Sequence, residues 1–232
     1  MNAMILAAGR GTRLGELGRT VPKILVDVGD EPLLARQIRY LKDGGVERIV
    51  INAHHLADQI ERFVAEHPLA EDIDVVVEPE LLGTAGGVRN ALPYLGEDAF
   101  VVLYGDVIVD EPIGAVSETH RSAKAAATLT VYRTAEVEGK GTVQIAHDGT
   151  VTAFAEKGAL RVADHAYVNA GLYMLEPSLV RELPAGVALD FGHDVFPAAL
   201  RRGRTIVAHT LAAPVIDMGT PAMLDLARNR MQ

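Results

Sequence analysis

Apolar residues along this chain alternate between two spacings. Residues 3–8 are a short apolar run that stops at Gly9, the pattern of a strand buried on both faces. Over 32–41, Leu33, Leu34, Ile38 and Leu41 recur at helical spacing, and Gly44-Gly45 ends the pattern. Further strand-like runs lie at 48–52, 73–77 and 99–104. Helical patterns separate them at 55–65, where Leu56, Ile60, Phe63 and Val64 share a face, and at 84–92. This alternation predicts an α/β fold: a three-layer, Rossmann-like arrangement with a mixed, mostly parallel sheet and helices on both faces. In such sheets ligands bind beyond the carboxyl ends of the strands. The Gly9 loop and Gly105-Asp106 both lie at such ends, so one crevice could hold both.

After Asp106 the pattern loosens. Residues 112–123 read as a helix, and 127–132, 142–146, 151–155 and 168–175 as strands. Asp148-Gly149-Thr150 marks a hairpin turn. Helical patterns return at 190–201 and 220–230, the first with Pro197 in its early turns. No linker rich in Pro, Gly or Ser interrupts the 232 residues, and no internal repeat is visible, so 1–232 is expected to be a single domain.

Composition narrows the chemistry. A net charge of -9 argues against non-specific binding to nucleic acid or anionic membrane, which needs a basic surface. The chain has no cysteine, which excludes disulfides, thiolate catalysis and zinc-thiolate sites. The amino terminus does not read as a signal peptide, and no apolar run approaches the ~20 residues of a membrane span. The expected location is the cytoplasm.

The strongest local signal is Leu6-Ala7-Ala8-Gly9-Arg10-Gly11-Thr12-Arg13-Leu14, followed by Pro22-Lys23. Gly9 and Gly11 allow a sharp turn that brings bare N–H groups near phosphate oxygens. Arg13 and Lys23 add cations suited to phosphate. Neither the dinucleotide fingerprint nor the phosphate-loop NTPase pattern fits these spacings. Asp106 and Asp217 each end an apolar, strand-like run. Two converging carboxylates make a hard oxygen site for Mg2+ carrying substrate phosphates, although each Asp could instead cap a following helix. His54 and His55 read as a polar loop rather than metal ligands. Asp190 and Asp194 read as acids at the start of a helix, where the dipole favours them.

The stretch from Leu6 to Leu14 with Pro22-Lys23 resembles the signature of the sugar-1-phosphate nucleotidyltransferases. Four further pieces follow in that family's order: Leu82-Gly83-Thr84-Ala85-Gly86-Gly87, Gly105-Asp106, Glu156-Lys157 with Asn169-Ala170-Gly171, and Asp217-Met218-Gly219-Thr220-Pro221. The resemblance spans nearly the whole chain. It implies the nucleotidyltransferase fold, similar to the glycosyltransferase-A type, with a nucleotide-binding half at 1–110 and a sugar-phosphate-binding half at 111–232. It implies Mg2+-assisted in-line attack of a sugar 1-phosphate on a nucleoside triphosphate, releasing pyrophosphate. Leu6, Ala7, Ala8, Gly9, Gly11, Thr12, Glu78, Gly83 and Thr84 would bind the nucleotide. Arg13 and Lys23 would be catalytic, Asp106 and Asp217 the metal ligands, and Glu156, Lys157, Asn169 and Gly171 the sugar-phosphate contacts.

The chain most resembles heptose- or mannose-1-phosphate guanylyltransferases and N-acetylmuramate-1-phosphate uridylyltransferases. A Glu78 carboxylate only accepts hydrogen bonds and would match the paired donors of guanine, which leans toward GTP. Ala7-Ala8-Gly9 leans toward UTP and an aminosugar 1-phosphate. Ile24 and Asp27 depart from a family pattern that favours Pro at both places. The resemblance leaves a homo-oligomer open, and the missing carboxyl-terminal β-helix makes acyltransferase activity unexpected. Other readings are a cytidylyltransferase for a quaternary ammonium acceptor, which would want an aromatic cage the chain's 5% aromatics hardly supply, and an inactive sensor, which would have lost Arg13, Lys23, Asp106 or Asp217. A glycosyltransferase would carry an Asp-x-Asp metal motif at a strand end. Asp72-Ile73-Asp74 has that form but precedes a strand.

Overall fold

A computed structural model describes residues 1–155, 160 and 165–230. The first half runs β1 (Ala3–Leu6), α1 (Leu17–Thr20), β2 (Asp27–Val28), β3 (Glu31–Pro32), α2 (Leu33–Asp43), β4 (Ile49–Ala53), α3 (Ala57–Ala65), β5 (Ile73–Val77), α4 (Gly83–Leu95) and β6 (Phe100–Tyr104). The second half adds β7 (Val107–Ile108), α5 (Ile113–Ala123), β8 (Ala127–Thr134), β9 (Thr142–Ile145), β10 (Val151–Ala155), β11 (Ala166–Leu175), α6 (Pro177–Arg181), α7 (Phe196–Arg201), β12 (Ile206–Thr210), β13 (Ile216–Asp217) and α8 (Pro221–Arg230).

Nine strands form the central sheet in the order β10-β9-β11-β6-β1-β4-β5, with β8 on β11 and β12 on β8. The segment β5-β4-β1-β6 is parallel throughout. β11 then enters antiparallel to β6. Strand β1 explains its unbroken apolar run. Ala3 and Ile5 face a core with Ile38 and Leu41 of α2, Ile60 of α3 and Ile113 of α5. Met4 faces the opposite core with Val88 and Leu92 of α4 and Phe196 of α7. Both faces are covered, so no position tolerates a polar side chain. Each fully buried side chain of this size contributes roughly 1.5–3 kcal/mol.

The departures from the predicted elements have local causes. β1 stops at Leu6 because the Ala7 N–H leaves the ladder and donates to Asn52 Oδ1 at 2.8 Å. α3 starts at Ala57, after Leu56 takes a left-handed φ of 55°. The 190–201 helix splits into a π-helical turn at Phe191–Val195 and the short α7. β12, with no strand predicted for it, pairs parallel to β8, and its Ile206 and Val207 are buried there.

Two short strand pairs lie off the sheet: β2 with β3, and β7 with β13. With α8 they enclose a third, smaller core of Val26, Val28, Leu33, Ile108, Ile216, Met218, Leu224 and Ala227. This core brings the carboxyl-terminal segment onto the turn after β6. Among the described residues no helix is long and apolar enough to cross a membrane.

Candidate active site

The carboxyl ends of β1, β4 and β6 open onto a cleft of about 340 Å³. Leu6, Ala7, Ala8 and Gly9 form one side of it, and Gly83, Thr84 and Asp190 also line it. Beside it lies a groove of about 240 Å³, walled by Gly11, Thr12 and Arg13 on one side and Gly219 on the other. Gly9, Lys23 and Asp106 line both spaces. A Cβ on Gly9 would meet nothing within 4 Å, so the fold itself does not demand glycine there. The open space permits close approach of a ligand to the backbone.

Lys23 sits at the junction. Its Nζ donates to Asp106 Oδ2 at 2.6 Å and lies 4.0 Å from Asp217 Oδ1. Asp106 follows β6, and Asp217 ends β13. The pairing of Asp217 with Val107 and the bond from Met218 N–H to Asp106 O, at 2.8 Å, hold the two acids side by side. Partial desolvation and the Asp106 charge beside it push the Asp217 carboxyl above its usual range, against the pull of Lys23 and Arg13. The helix-cap alternative fails for Asp217. Its Oδ1 accepts from Gly219 N–H at 2.8 Å, and Thr220 Oγ1 accepts from Met223 N–H in the first turn of α8. A Cβ on Gly219 would stand 3.0 Å from both Arg13 Nη2 and Asp217 Oδ1, so glycine here lets both side chains pack against the backbone. Asp106, which lines the phosphate-sized groove, and Asp217 beside it are two hard carboxylates that fit Mg2+ taking its other ligands from phosphate and water. Among the described residues no larger cluster of His, Cys, Asp or Glu could hold a metal ion.

Glu78 is not where a base-reading side chain belongs. It is 1% exposed, and its Oε1 accepts from Asn52 Nδ2 at 2.6 Å while Oε2 accepts from Leu82 N–H at 3.1 Å. It lies beneath Asn52, which lines the cleft in its place. Glu78 therefore braces the floor: it holds Asn52, and Asn52 holds the Ala7 backbone. Gly83 is required by the chain itself, because it has a φ of 69° and a Cβ there would stand 2.5 Å from Leu189 O.

Asn169 and Gly171 lie on β11, where a register shift lets the chain pass close to Tyr104. Asn169 Nδ2 donates to the Tyr173 hydroxyl at 2.6 Å. Burial pushes the Tyr104 and Tyr173 phenols well above their usual range, so both stay protonated. Asp190 caps the turn after it, accepting from Gly192 N–H and His193 N–H, and also accepts from Thr84 Oγ1 at 2.7 Å. Glu156 and Lys157 lie outside the described residues. His54 and His55 meet backbone carbonyls of Glu78 and Gly18, as befits a polar loop. Asn52 and Tyr104 are site residues that the sequence reading does not single out. Asn52, a polar residue ending the apolar run Ile49–Ile51, was the available signal.

The family model described as nucleotidyl transferase matches residues 2–229. The chain is 30% identical over 94% of its length to the UTP–glucose-1-phosphate uridylyltransferase of Synechocystis sp., covering 60% of that protein. It is 30% identical over 95% of its length to the mannose-1-phosphate guanylyltransferase of Mycobacterium tuberculosis, covering 62% of that protein. The chain thus spans about three-fifths of these curated relatives. HddC from Yersinia pseudotuberculosis, solved in complex with GMP-PN, superposes with a TM-score of 0.83 at 28% identity over 100% of this chain and 99% of that one. A putative glucose-1-phosphate thymidylyltransferase from Bacillus anthracis shares the fold, with a TM-score of 0.86 at 22% identity over 100% of this chain and 95% of that one.

Proposed function

The chain belongs to the nucleotidyl transferase family, and on that premise we propose that it is a sugar-1-phosphate nucleotidyltransferase, acting as a single domain over 1–232. The observation that carries this reading is Lys23 at the meeting of the two spaces, on Asp106 and within 4.0 Å of Asp217. A nucleoside triphosphate would place base and ribose in the larger cleft and its phosphates along the groove. The reacting α-phosphorus then falls near Lys23.

In the reaction an oxygen of the sugar phosphate attacks the α-phosphorus, and the bond from that phosphorus to the bridging oxygen of the β-phosphate breaks. Pyrophosphate leaves with that electron pair. The 7–11 backbone and Arg13 hold the triphosphate. Lys23 neutralises the two phosphates as they approach, a repulsion that otherwise opposes attack. Asp106 and Asp217 are the residues that would hold Mg2+, which supplies charge neutralisation when bound. No covalent intermediate is required, so catalysis is positioning and electrostatic stabilisation. Asn169 and Gly171, like Glu156 and Lys157, are assigned to the sugar phosphate by resemblance.

With Glu78 under the floor, its carboxylate gives no argument for guanine. GTP remains the favoured donor, with mannose or heptose 1-phosphate as acceptor, because HddC was solved with GMP-PN and a relative is a mannose-1-phosphate guanylyltransferase. UTP with a sugar 1-phosphate is the second reading, supported by the uridylyltransferase relative. Pyrophosphate release with Mg2+, crossing five nucleoside triphosphates against hexose, aminosugar and heptose 1-phosphates, tests both. Release that needs one triphosphate and one sugar phosphate together is the expected result. Binding of a triphosphate without turnover on any acceptor would sink the reading.

A further inference from the structure

The turn that carries Asp106 is held by a helix that lines neither the cleft nor the groove. Tyr104, Gly105, Asp106 and Val107 lead from β6 into β7. Gln37 of α2 reaches both ends of this turn. Its Nε2 donates to Tyr104 O at 3.1 Å and to Val107 O at 3.0 Å. The same helix meets the chain beyond the turn: the Tyr40 hydroxyl donates to Glu111 O at 2.6 Å, and Arg36 Nη2 lies 3.6 Å from Asp110 Oδ1. α2 is itself anchored in two cores, by Leu33 in the third and by Leu34, Ile38 and Leu41 in the first.

The chemistry of these contacts fixes side chain and turn together. Both partners are carbonyls, which only accept, so the amide must present its two Nε2 protons to them. Gln37 is 3% exposed, and among the described residues no donor reaches its Oε1. The side chain thus makes its hydrogen bonds to the turn alone. The middle of the turn is held from other sides. Gly105 N–H donates to Leu6 O at 2.9 Å, and Asp106 O accepts from Met218 N–H at 2.8 Å. A Cβ on Gly105 would stand 2.5 Å from Leu6 O, so the turn is pressed against the end of β1. With β1 and Met218 fixing the middle, Gln37 fixes the ends.

We propose that Gln37 is a positioning residue for Asp106: by bridging the two ends of the turn it aims the carboxylate that takes Lys23 Nζ at 2.6 Å and sets its place beside Asp217. The consequence for metal binding rests on the reading of Asp106 and Asp217 as the metal ligands. Mg2+ demands a near-ideal octahedral set of oxygens, so a carboxylate free to tilt with its turn holds it less tightly. Gln37 touches none of the reacting groups and acts only through the backbone on either side of Asp106.

The test compares Gln37→Met, which keeps the length and removes both protons, with Ile38→Val, which loosens the same helix but removes no hydrogen bond from the turn. Mn2+ takes the same oxygen ligands as Mg2+ and is counted by electron paramagnetic resonance. Titrated into the full chain without nucleotide, Mn2+ should bind the wild type and lose that binding in Asp106→Ala. Gln37→Met should bind it about tenfold more weakly, the scale of removing a group that orients a metal ligand. Ile38→Val should stay within about twofold. Gln37→Glu keeps the shape but offers the two carbonyls one proton at most. It too should weaken Mn2+ binding, and it carries the test if the methionine variant does not fold. Wild-type affinity in a folded Gln37 variant, or an equal loss in Ile38→Val, overturns the proposal while leaving the metal reading in place. A readout without metal is amide hydrogen exchange. The Gly105 and Met218 N–H groups should exchange about tenfold faster in the Gln37 variants than in Ile38→Val, the effect of a lost hydrogen bond. Unchanged exchange at both overturns the proposal whatever the metal does. Mn2+ binding that survives Asp106→Ala, together with this faster exchange, sinks the metal reading while upholding Gln37 as the residue that positions Asp106.

Discussion

The two walls of the phosphate groove are built in opposite ways. One is local: residues 9–13 follow β1 directly, and one side chain, Asn52, pins the loop by its Ala7 backbone. The other is assembled from afar. Lys23 and Asp106 stand 83 positions apart, and Asp217 arrives from near the carboxyl end on a two-residue strand backed by its own small core. The local wall orders a short loop and pays little closure entropy. The remote wall exists only when the third core has formed. Charge chemistry is therefore concentrated where the fold must be complete, and an incompletely folded chain would have the loop without the acids.

The sharpest way to break this comparison is Asp106→Ala. It should lower turnover about a thousandfold or more, the scale of removing a group that stabilises transition-state charge. Circular dichroism and melting should show an intact fold, because Asp106 belongs to none of the three cores. Near-normal turnover would remove the remote wall from the chemistry. Glu78→Ala probes the brace under the local wall. It leaves Asn52 Nδ2 and the Leu82 N–H without their acceptor, which should cost about 2–3 kcal/mol in denaturant titration. The preference among triphosphates should not change. A switched preference at unchanged stability would return Glu78 to the base.

Gly219→Ala is subtler. The added methyl presses on the tips of Arg13 and Asp217, both of which can swing aside. Turnover should fall about tenfold while stability moves by under about 1 kcal/mol, since no buried group loses its partner. A large loss of stability with normal turnover would mean that the contact between the walls serves the fold alone. The smallest effect is expected from Thr220→Ala. It removes the cap on α8 and should cost about 1 kcal/mol without touching turnover.

Much of the architecture was legible because it is written in local periodicity. β1, β4 and β6 read as apolar runs since both faces are covered, and α2 reads at helical spacing since one face meets the sheet. The glycine loop and Asp106 could be placed at strand ends for the same reason. β12 was missed, although its buried Ile206 and Val207 were a signal, because a five-residue strand gains its meaning from β8 beside it.

What the sequence alone determined is the alternation of strand and helix, the phosphate-suited loop and the identity of the charged residues beside it. These depend on neighbours a few positions away, where backbone geometry and side-chain type decide the outcome. Only the tertiary structure decided that Asp217 faces Asp106, that Glu78 lies under Asn52 rather than against the cleft, and that Asn169 meets the buried Tyr173 hydroxyl. The physical reason is that burial and hydrogen-bond partnership are properties of the assembled neighbourhood. A carboxylate five residues before a glycine has the same spacing whether it meets a ligand or an asparagine, and only the folded strands choose between them.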